Sequence, residues 1–498
     1  MYQGELNFDG LIGPTHNYSG LSEGNIASFK NSNKTSNPKK AALQGLEKMK
    51  LLIELGIPQG ILLPHERPNL SFLRTQGFSG SDADIVASAA KISNLLLNQS
   101  YSASSMWAAN AATFSPSMDS QDAVAHITPA NLFSMQHRRI EANFTYQQLN
   151  LIFNSSHFKV HKPIESSNLM SDEGAANHIR ISNSHLKKGI QIFVYGRDSS
   201  EESLNFVARQ SRAASEYIAN SHRLDMEQTF FLKQNMKAIN SGSFHNDIVS
   251  LATENVFIFH EEAFEDSKHK IQQIKNSFNA KEKYFFIEIS KNDIPLDILV
   301  NSYLLNSQLV RNSTGDMTFI MPTEVKNYSE CKEWLKWVKE NTPIKDFKYV
   351  DIKQSMMNGG GPACLRFKIV VNKDEFNNIN PNFLLNPDLI KRLEALINNS
   401  YRDTLEIRDL TDPELINESY TILDNLTHKD GPNISARTMS RPAAKTIFYP
   451  SKIILCFALL HSSLLINLSC FSCVVGNCSR IYIHKYVSNY SYYYTFKI

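Results

Sequence analysis

Cysteine is scarce in most of this 498-residue chain. Of six cysteines, Cys331 and Cys364 precede residue 431, and the other four lie between residues 456 and 478. Two cysteines so far apart in a large body exclude a disulfide scaffold and indicate a reducing compartment. The N-terminus lacks a basic segment followed by an apolar one, so no secretory signal is predicted. We therefore expect a cytoplasmic location.

Acidic residues are absent after Asp430, whereas seven basic residues follow it. Residues 1–430 hold the remaining 44 basic residues against all 49 acidic ones, which leaves a net charge of about −5. A mildly acidic body lacks the basic surface that nucleic-acid binding requires, so no nucleic-acid partner is expected. The change in composition predicts a folded body at 1–430 and an apolar, cysteine- and tyrosine-rich tail at 431–498 outside it.

Residues 453–475 form a long stretch without charge, and 17 of its 23 residues are apolar. This length meets the requirement for a membrane span of about 20 residues. His461, Ser462, Ser463 and Asn467 interrupt its middle, so a membrane span is the less favoured interpretation. An appended tail, or one created by a shifted reading frame or a lost stop codon, fits the composition better.

Helix and strand patterns alternate along the body, which predicts an α/β fold. Residues 39–55 carry apolar side chains at helical spacing, after Asn37 as the cap and Pro38 as the first helical residue, and the pattern ends at Gly56. Strands are predicted at 190–195, 247–251, 255–259, 284–289, 316–321 and 365–371. Further helices are predicted at 295–309 and 329–339.

Three glycines and a proline precede a cysteine in the stretch from Asn358 to Arg366. This composition predicts an irregular loop with close backbone approach that presents Cys364 at the start of a strand. A nucleophilic thiol needs partial exposure and a nearby base or cation that lowers its pKa. A buried structural cysteine after a glycine turn explains the same spacing equally well.

Two short polar stretches contain candidate partners for the thiol. His245 and Asp247 lie two residues apart at the start of a predicted strand, which would point both side chains to one face. His245 could then act as general acid and base while Asp247 holds a cationic substrate; a surface turn is the simpler interpretation. In 171–178, Asp172 and Glu173 lie among small residues, where carboxylates suit a guanidinium group or favour a helix N-terminus.

Arginines occur in two further segments, 137–139 and 209–212, and offer forked donors for carboxylates, although isolated arginines are usually solvated. Residues 18–25 form a polar, glycine-containing loop that either covers a site or is an ordinary connection. Sequence patterns for zinc proteases, dinucleotide-binding folds and P-loops do not occur. No metal and no cofactor are therefore expected.

Taken together, these segments resemble the N-succinylarginine dihydrolases of the guanidino-group-modifying superfamily. The similar motifs occur in family order at 7–11, 64–68, 77–82, 172–178, 244–247 and 358–366, and the resemblance covers roughly residues 2–428. It implies a five-bladed α/β-propeller of the pentein type with the active site in its central channel, and a homodimer. It also implies hydrolysis of N2-succinylarginine with two waters to N2-succinylornithine, two ammonia and carbon dioxide, in the arginine succinyltransferase pathway of arginine catabolism.

The resemblance also implies residue roles. Cys364 takes the position of the nucleophile, His245 that of the general acid and base, and Glu173 that of the catalytic carboxylate. Arg138 and Arg209 are expected to clamp the two carboxylates of the substrate. The positions expected to contact substrate are Ser19, Gly20, Leu21, Ser22, Glu23, Gly24, Asn25, Ile26, Ala27, Ser28, Asn110, His137, Arg138, Arg209, Asp247 and Asn358.

The chain departs from the family in the loop before Gly20, where the family commonly has histidine and alanine in place of Asn17 and Ser19. Backbone contacts with the substrate are expected there.

Two other functions remain compatible with the sequence. A single-step guanidine deiminase would release one ammonia and accumulate a ureido product. A non-catalytic guanidine-binding or membrane-associated protein is the second. The presence of Cys364, His245 and Glu173 argues against a loss of activity, and the acidic body argues against a membrane role.

Overall fold

The computed structural model describes residues 2–22, 24–198, 206–279, 281–428, 480–487 and 490–497. The chain divides into two compact units, residues 1–439 and 440–498. In the second unit, the described residues form an antiparallel hairpin of Arg480–Val487 and Tyr490–Lys497. The apolar stretch 453–475 lies outside the described residues. Among the described helices, none has both the length and the apolar character needed to cross a membrane.

Five three-stranded sheets form the β structure described in the first unit. Each middle strand has an antiparallel neighbour on one side and a parallel neighbour on the other. In chain order, the sheets are built from β1 (Gly4–Gly10), β2 (Gln59–Leu62), β3 (Ala112–Ser115), β4 (Ala125–Pro129), β5 (Phe158–Val160), β6 (His178–Ile181), β7 (Ile190–Tyr195), β8 (Thr229–Lys233), β9 (Ser250–Thr253), β10 (Val256–His260), β11 (Phe285–Ile289), β12 (Gln308–Arg311), β13 (Met317–Pro322), β14 (Ile344–Val350) and β15 (Arg366–Val371).

Helices occupy the connections around these sheets, and the α/β class is thereby confirmed. In chain order they are α1 (Ile26–Lys30), α2 (Pro38–Glu54), α3 (Leu70–Thr75), α4 (Asp82–Ile92), α5 (Asn94–Ser100), α6 (Gln136–Arg139), α7 (Ala142–Ile152), α8 (Arg212–Ser221), α9 (Met236–Asn240), α10 (Ser267–Asn276), α11 (Leu296–Ser302), α12 (Ser329–Asn341), α13 (Lys353–Met357), α14 (Lys373–Asn377), α15 (Pro387–Ser400) and α16 (Pro413–His428). The predicted cap of α2 is confirmed, because the Asn37 side chain accepts a hydrogen bond from the Lys40 N–H.

The first sheet joins the two ends of the body. β1 lies between β2 and β15, and Gly4 to Asp9 pair antiparallel with Arg366 to Val371. Successive side chains of β1 point to opposite faces, so Leu6 and Phe8 enter an apolar cluster while Glu5 and Asp9 face the other way. Both carboxylates are nevertheless buried, and the Asp9 carboxylate lies 2.5 Å from the Lys48 ammonium. The sheet therefore has one apolar and one ionic face.

Two predictions of secondary structure are wrong near the site. The helix predicted at 295–309 ends at Ser302, because Tyr303 has a left-handed backbone with φ of 59°, and residues 308–311 form β12. The strand predicted from Asp247 begins at Ser250, because residues 246–248 form a 3-10 turn. His245 and Asp247 are therefore held by a turn and not by one face of a strand.

A cavity of about 120 Å³ is enclosed by edge strands of the sheets. Its lining comes from β3, β6, β9 and β15 and from the segment before β12, so each of the five sheets or its flanking segment contributes. Within this set, β9 contacts both β6 and β12, and β3 contacts β15. The side chains lining the cavity include Asp247, Arg366 and Lys368, so its wall is strongly charged.

Candidate active site

Cys364 lies directly before β15, at the end of the predicted glycine loop. Gly359 has φ of 101°, and a Cβ there would lie 1.9 Å from the Asn25 side-chain nitrogen. A Cβ on Gly361 would lie 2.4 Å from Oδ1 of Asn306. Neither position has room for a side chain, which confirms the prediction of a loop with close backbone approach.

The Cys364 thiol contacts one carboxylate and one amide. Sγ lies 3.7 Å from Oδ2 of Asp247 and 3.3 Å from Oδ1 of Asn306. The residue is 8% exposed, and burial together with the nearby Asp247 raises the pKa of the Cys364 thiol well above its usual range. Burial likewise raises the pKa of Asp247 to about 7. Without a cation between them, the pair therefore favours a protonated thiol.

His245 and Glu173 form a second buried pair. Nε2 of His245 lies 2.8 Å from Oε2 of Glu173. Burial lowers the pKa of His245 to about 4, against the raising effect of Glu173. Burial alone would raise the pKa of Glu173, but the Arg138 guanidinium and the His245 hydrogen bond bring it below its usual range. The imidazole is thus neutral and the carboxylate ionised at neutral pH.

Several other polar groups fix the Glu173 carboxylate and its backbone. Nη1 of Arg138 lies 2.5 Å from Oε2, and the Ser134 hydroxyl donates to Oε1 at 2.6 Å. The Glu173 N–H donates to Oε1 of Gln210 at 2.7 Å, and Nδ2 of Asn110 donates to the Glu173 carbonyl at 2.7 Å. Asn110 therefore touches the site through the backbone of the catalytic-carboxylate candidate.

The two candidate clamp arginines are buried, unlike most arginines. Arg138 is 0% and Arg209 is 2% exposed. The Arg209 guanidinium lies over the Phe244 ring at 4.1 Å from its centroid, next to His245 in the chain. Their neighbours Arg139 and Arg212 are largely exposed. Within each segment, one arginine therefore belongs to the site region and the other to the surface.

His137 lies on α6 next to Arg138, and its Nδ1 is 2.8 Å from the Ser102 hydroxyl. Burial and then the Arg138 charge lower the pKa of His137 well below its usual range. A neutral His137 can offer its other ring nitrogen to an anionic ligand as a donor or to a hydroxyl as an acceptor.

The predicted covering loop packs against the glycine loop. Nδ2 of Asn25 donates to the Gly359 carbonyl at 3.0 Å, and Nδ2 of Asn358 donates to the Asn17 carbonyl at 3.2 Å. Oδ1 of Asn25 also accepts from the Ser28 N–H at 3.0 Å, which caps α1. The loop that carries the substrate-binding candidates is therefore tied to the segment that carries the thiol.

The remaining candidates in this loop differ in burial. Ser22 and Ser28 are buried, whereas Ser19, Gly20, Leu21, Gly24, Ile26 and Ala27 are half-buried. Glu23 lies outside the described residues. A second cavity, of about 190 Å³, is lined by Asn25, Ile26, Ala27, Phe244, Asn306 and Gly359, among others. Its walls come from the covering loop, the segment around Phe244 and the glycine loop, whereas Asp247 lines the 120 Å³ cavity.

Sequence reasoning did not identify Asn306, Ser134 or Gln210. Asn306 is fully buried between α11 and β12 and contacts both the thiol and the glycine loop. The sequence signal for Asn306 was a single amide side chain within an apolar run. This signal is weak, because buried amide side chains commonly form hydrogen bonds with the backbone alone and have no further role.

Two sequence comparisons with known proteins indicate the same family. The sequence matches the family model described as succinylarginine dihydrolase over residues 2–430. The N-succinylarginine dihydrolases of Shewanella loihica and Aeromonas hydrophila are 46% and 45% identical to this chain over 429 residues. Each alignment covers 85% of this chain and 96% of the relative.

Two solved structures have weaker likenesses. An arginine dihydrolase from the ornithine-ammonia cycle in cyanobacteria is 14% identical with a TM-score of 0.46, covering 74% of this chain and 42% of that chain. DDAH from Pseudomonas aeruginosa, complexed with citrulline, is 11% identical with a TM-score of 0.42, covering 74% of this chain and 100% of that chain.

The family match spans the described residues of the body, including the thiol segment, the histidine and carboxylate pair and both buried arginines. On this match and on the identity to its relatives, the chain belongs to the succinylarginine dihydrolase family.

Proposed function

We propose that the chain hydrolyses N2-succinylarginine with two waters to N2-succinylornithine, two ammonia and carbon dioxide. Family membership supports the substrate and the reaction. The observation that carries the chemistry is the Cys364 thiol 3.7 Å from the Asp247 carboxylate, with His245 only two residues from Asp247 along the chain. A nucleophile, a group that binds cations and an acid-base group thus come from two short segments.

Capture of the guanidinium begins at Asp247. Among the described residues, Oδ1 of Asp247 has no hydrogen-bond partner although it is buried. A guanidinium donor would satisfy this oxygen, and its charge would lower the pKa values of both Asp247 and Cys364. Binding of the substrate therefore creates the charge environment in which the thiolate forms.

The distal end of the substrate carries two carboxylates. Arg138 and Arg209 suit them because both guanidinium groups are buried near Glu173 and His245. In the described structure, Nε and Nη2 of Arg138 also lack hydrogen-bond partners. The arginines anchor the succinyl end, so that the reacting carbon is held close to the thiol.

The first half-reaction moves one proton from sulfur to the leaving nitrogen. Neutral His245 accepts the Cys364 proton, the thiolate attacks the guanidinium carbon, and a carbon–sulfur bond forms. The imidazolium, stabilised by Glu173 at 2.8 Å, then protonates the departing nitrogen, and ammonia leaves with cleavage of its carbon–nitrogen bond. The product is a positively charged covalent intermediate on Cys364.

Water completes the first cycle. His245 removes a proton from the attacking water, and the water oxygen bonds to the carbon. The carbon–sulfur bond then breaks, the hydroxyl proton of the adduct passes to sulfur, and the imidazolium releases its proton to solvent, so that the thiol, neutral His245 and a ureido compound remain. A second cycle at the same carbon releases the second ammonia and carbon dioxide and leaves N2-succinylornithine. A deiminase would stop after the first cycle, and the family relationship does not favour that alternative.

The proposal also includes the propeller fold, the extent of the catalytic domain and the oligomeric state. The five sheets would stand as five blades of a pentein-type propeller, with the 120 Å³ cavity on its axis. Residues 1–430 would form the catalytic domain, with residues 431–498 outside it, since the family match ends at residue 430. A cytoplasmic homodimer follows from the family resemblance, and sedimentation of the purified protein tests the dimer.

The test is the ammonia released per N2-succinylarginine consumed by the full-length protein. Two ammonia per substrate are expected. One ammonia with an accumulating ureido product would identify a deiminase, and none from a folded sample would reject the proposal. Cys364→Ala should abolish turnover, whereas Cys331→Ala, which alters the other cysteine of the body, should retain it.

A further inference from the structure

We propose that Asn306 is a positioning residue that keeps the Cys364 thiol protonated and oriented until substrate is bound. The inference rests on the proposed function, because it takes Cys364 as the nucleophile. It adds a residue that acts on the nucleophile through a hydrogen bond and without touching the reacting carbon.

The orientation of the Asn306 amide is fixed by the glycine loop. The Gly361 N–H donates to Oδ1 of Asn306 at 2.8 Å. An amide NH₂ group cannot accept this bond, so the oxygen, and not the nitrogen, must face the loop. The same oxygen lies 3.3 Å from Sγ of Cys364. The thiol can satisfy this contact only as a donor, through its S–H.

Asn306 also joins the other elements around the thiol. Its carbonyl accepts from the Ala363 N–H at 3.3 Å, and its Nδ2 reaches the Asp247 carbonyl at 3.5 Å. One fully buried residue therefore contacts the loop on the N-terminal side of Cys364, the thiol itself and the backbone of the cation-binding candidate. This arrangement sets the distance between the thiol and Asp247.

The partial negative charge of the Asn306 oxygen favours the protonated form of the Cys364 thiol. An amide oxygen stabilises a neutral S–H by accepting a hydrogen bond from it, and it repels a thiolate at the same distance. Burial and then Asp247 raise the Cys364 pKa. A hydrogen bond from the Asn306 NH₂ group would lower the pKa, but the Gly361 N–H holds the amide oxygen, and not the NH₂ group, toward the sulfur. The guanidinium of the substrate supplies the opposing charge, so thiolate forms when the substrate is in place. The resting enzyme is thereby protected from alkylation and oxidation.

The pH dependence of Cys364 alkylation by iodoacetamide tests this role in the full-length protein. Peptide mass spectrometry separates Cys364 from the other cysteines. Asn306→Leu removes the acceptor with little change in volume, so the midpoint of the profile should fall by about one pH unit. Asn306→Asp keeps the oxygen and adds a negative charge, so its midpoint should rise. For both variants, kcat with N2-succinylarginine should fall at least about tenfold.

The matched control is Gln308→Leu. Nε2 of Gln308 donates to the Pro362 carbonyl at 2.7 Å, so this variant loosens the same loop without losing a contact to the thiol. Its melting temperature should fall while the alkylation midpoint stays at the wild-type value.

A midpoint for Asn306→Leu equal to wild type or higher would overturn the proposal. If circular dichroism shows that Asn306→Leu is unfolded, the Asn306→Asp variant provides the test. An alkylation midpoint of Asn306→Asp equal to that of wild type would also overturn the proposal. A Cys364→Ala enzyme that remains active would instead reject the proposed function. The two failures are therefore distinguishable.

Discussion

Glu173 and His245 lie 72 positions apart in the sequence, yet Oε2 and Nε2 are 2.8 Å apart with both side chains buried. Arg138 adds a guanidinium at 2.5 Å from the same carboxylate oxygen. This one carboxylate oxygen thus has two partners, and one of them is the proposed acid-base group. Removing its charge should impair both catalysis and folding.

Glu173→Gln tests this double role. The substitution leaves Arg138 as a buried cation without its anion, so the free energy of unfolding should fall by about 3 to 5 kcal/mol. The kcat should fall by about 100-fold or more, because the imidazolium loses its stabilising charge. Urea unfolding and steady-state kinetics measure the two effects.

Glu216→Gln is the matched control, because it removes the same charge from the exposed pair with Arg212. Its free energy of unfolding should change by less than about 1 kcal/mol. Equal losses in the two variants would contradict the assignment of Glu173.

The raised pKa of Asp247 predicts a pH-dependent cost in stability. Burial raises its pKa from 3.8 to about 7, so between these values the folded state binds more protons than the unfolded state. The stability that this group contributes is full below about pH 4 and is lost as the pH rises through 7. At pH 8 the loss is on the order of 4 kcal/mol at most.

Asp247→Asn should remove this dependence. Relative to wild type, the free energy of unfolding of the variant should increase as the pH rises from 4 to 8, as measured by urea titrations at each pH. Asp172, whose pKa burial also raises to about 7, is unchanged in both proteins and cancels in the difference. A constant difference across the range would show that Asp247 ionises normally.

Arg209→Ala should raise the KM for N2-succinylarginine by about 100-fold or more, since it removes the buried guanidinium that we propose pairs with a substrate carboxylate. Arg212→Ala, three residues later and largely exposed, should leave the KM within about twofold. Initial-rate kinetics separate the two variants. Unchanged kinetics for Arg209→Ala would remove Arg209 from the site.

Gly359→Ala should lower the activity of the enzyme for a steric reason. A Cβ at this position meets the Asn25 side chain at 1.9 Å and also needs φ of 101°. Gly315 has a similar φ of 91° with nothing within 4 Å of its Cβ position, so Gly315→Ala incurs only the backbone strain.

Both alanine variants should lose about 1 to 2 kcal/mol of stability from this strain. A loss of kcat beyond about tenfold should occur only for Gly359→Ala, and activity and melting temperature report the difference. Normal turnover by Gly359→Ala would show that the contact between the covering loop and the glycine loop is dispensable.

The sequence predicts elements well where one local pattern decides the structure. The strand at 190–195 coincides with β7, and α2 begins at its predicted cap. The helix predicted at 295–309 is wrong beyond Ser302, because Tyr303 has a left-handed backbone that ends α11. The apolar run after Tyr303 suits a helix as well as a strand. Such an ending depends on packing against distant segments, which local periodicity does not record.

Most site candidates came from recognisable motifs, and the structure brings Cys364 next to Asp247 and His245 next to Glu173. Asn306 could not be found in this way, because its contacts with Gly361 and Cys364 span 55 and 58 positions along the chain. The burial of Arg138 could not be predicted either, because it depends on the Glu173 carboxylate, which is 35 positions away in the sequence.

Because β1 pairs with β15, the first strand of the body cannot complete its sheet until the last strand has been synthesised. During synthesis, β1 leaves the ribosome more than 300 residues before its antiparallel partner, so one edge of its sheet stays open while the four other sheets form. A partner so distant closes slowly, because the intervening chain must be ordered first. Cys364 lies directly before β15, so it reaches its place beside Asp247 in the same step that pairs this edge. A nascent chain that lacks β15 therefore has neither a complete first sheet nor the proposed nucleophile in position.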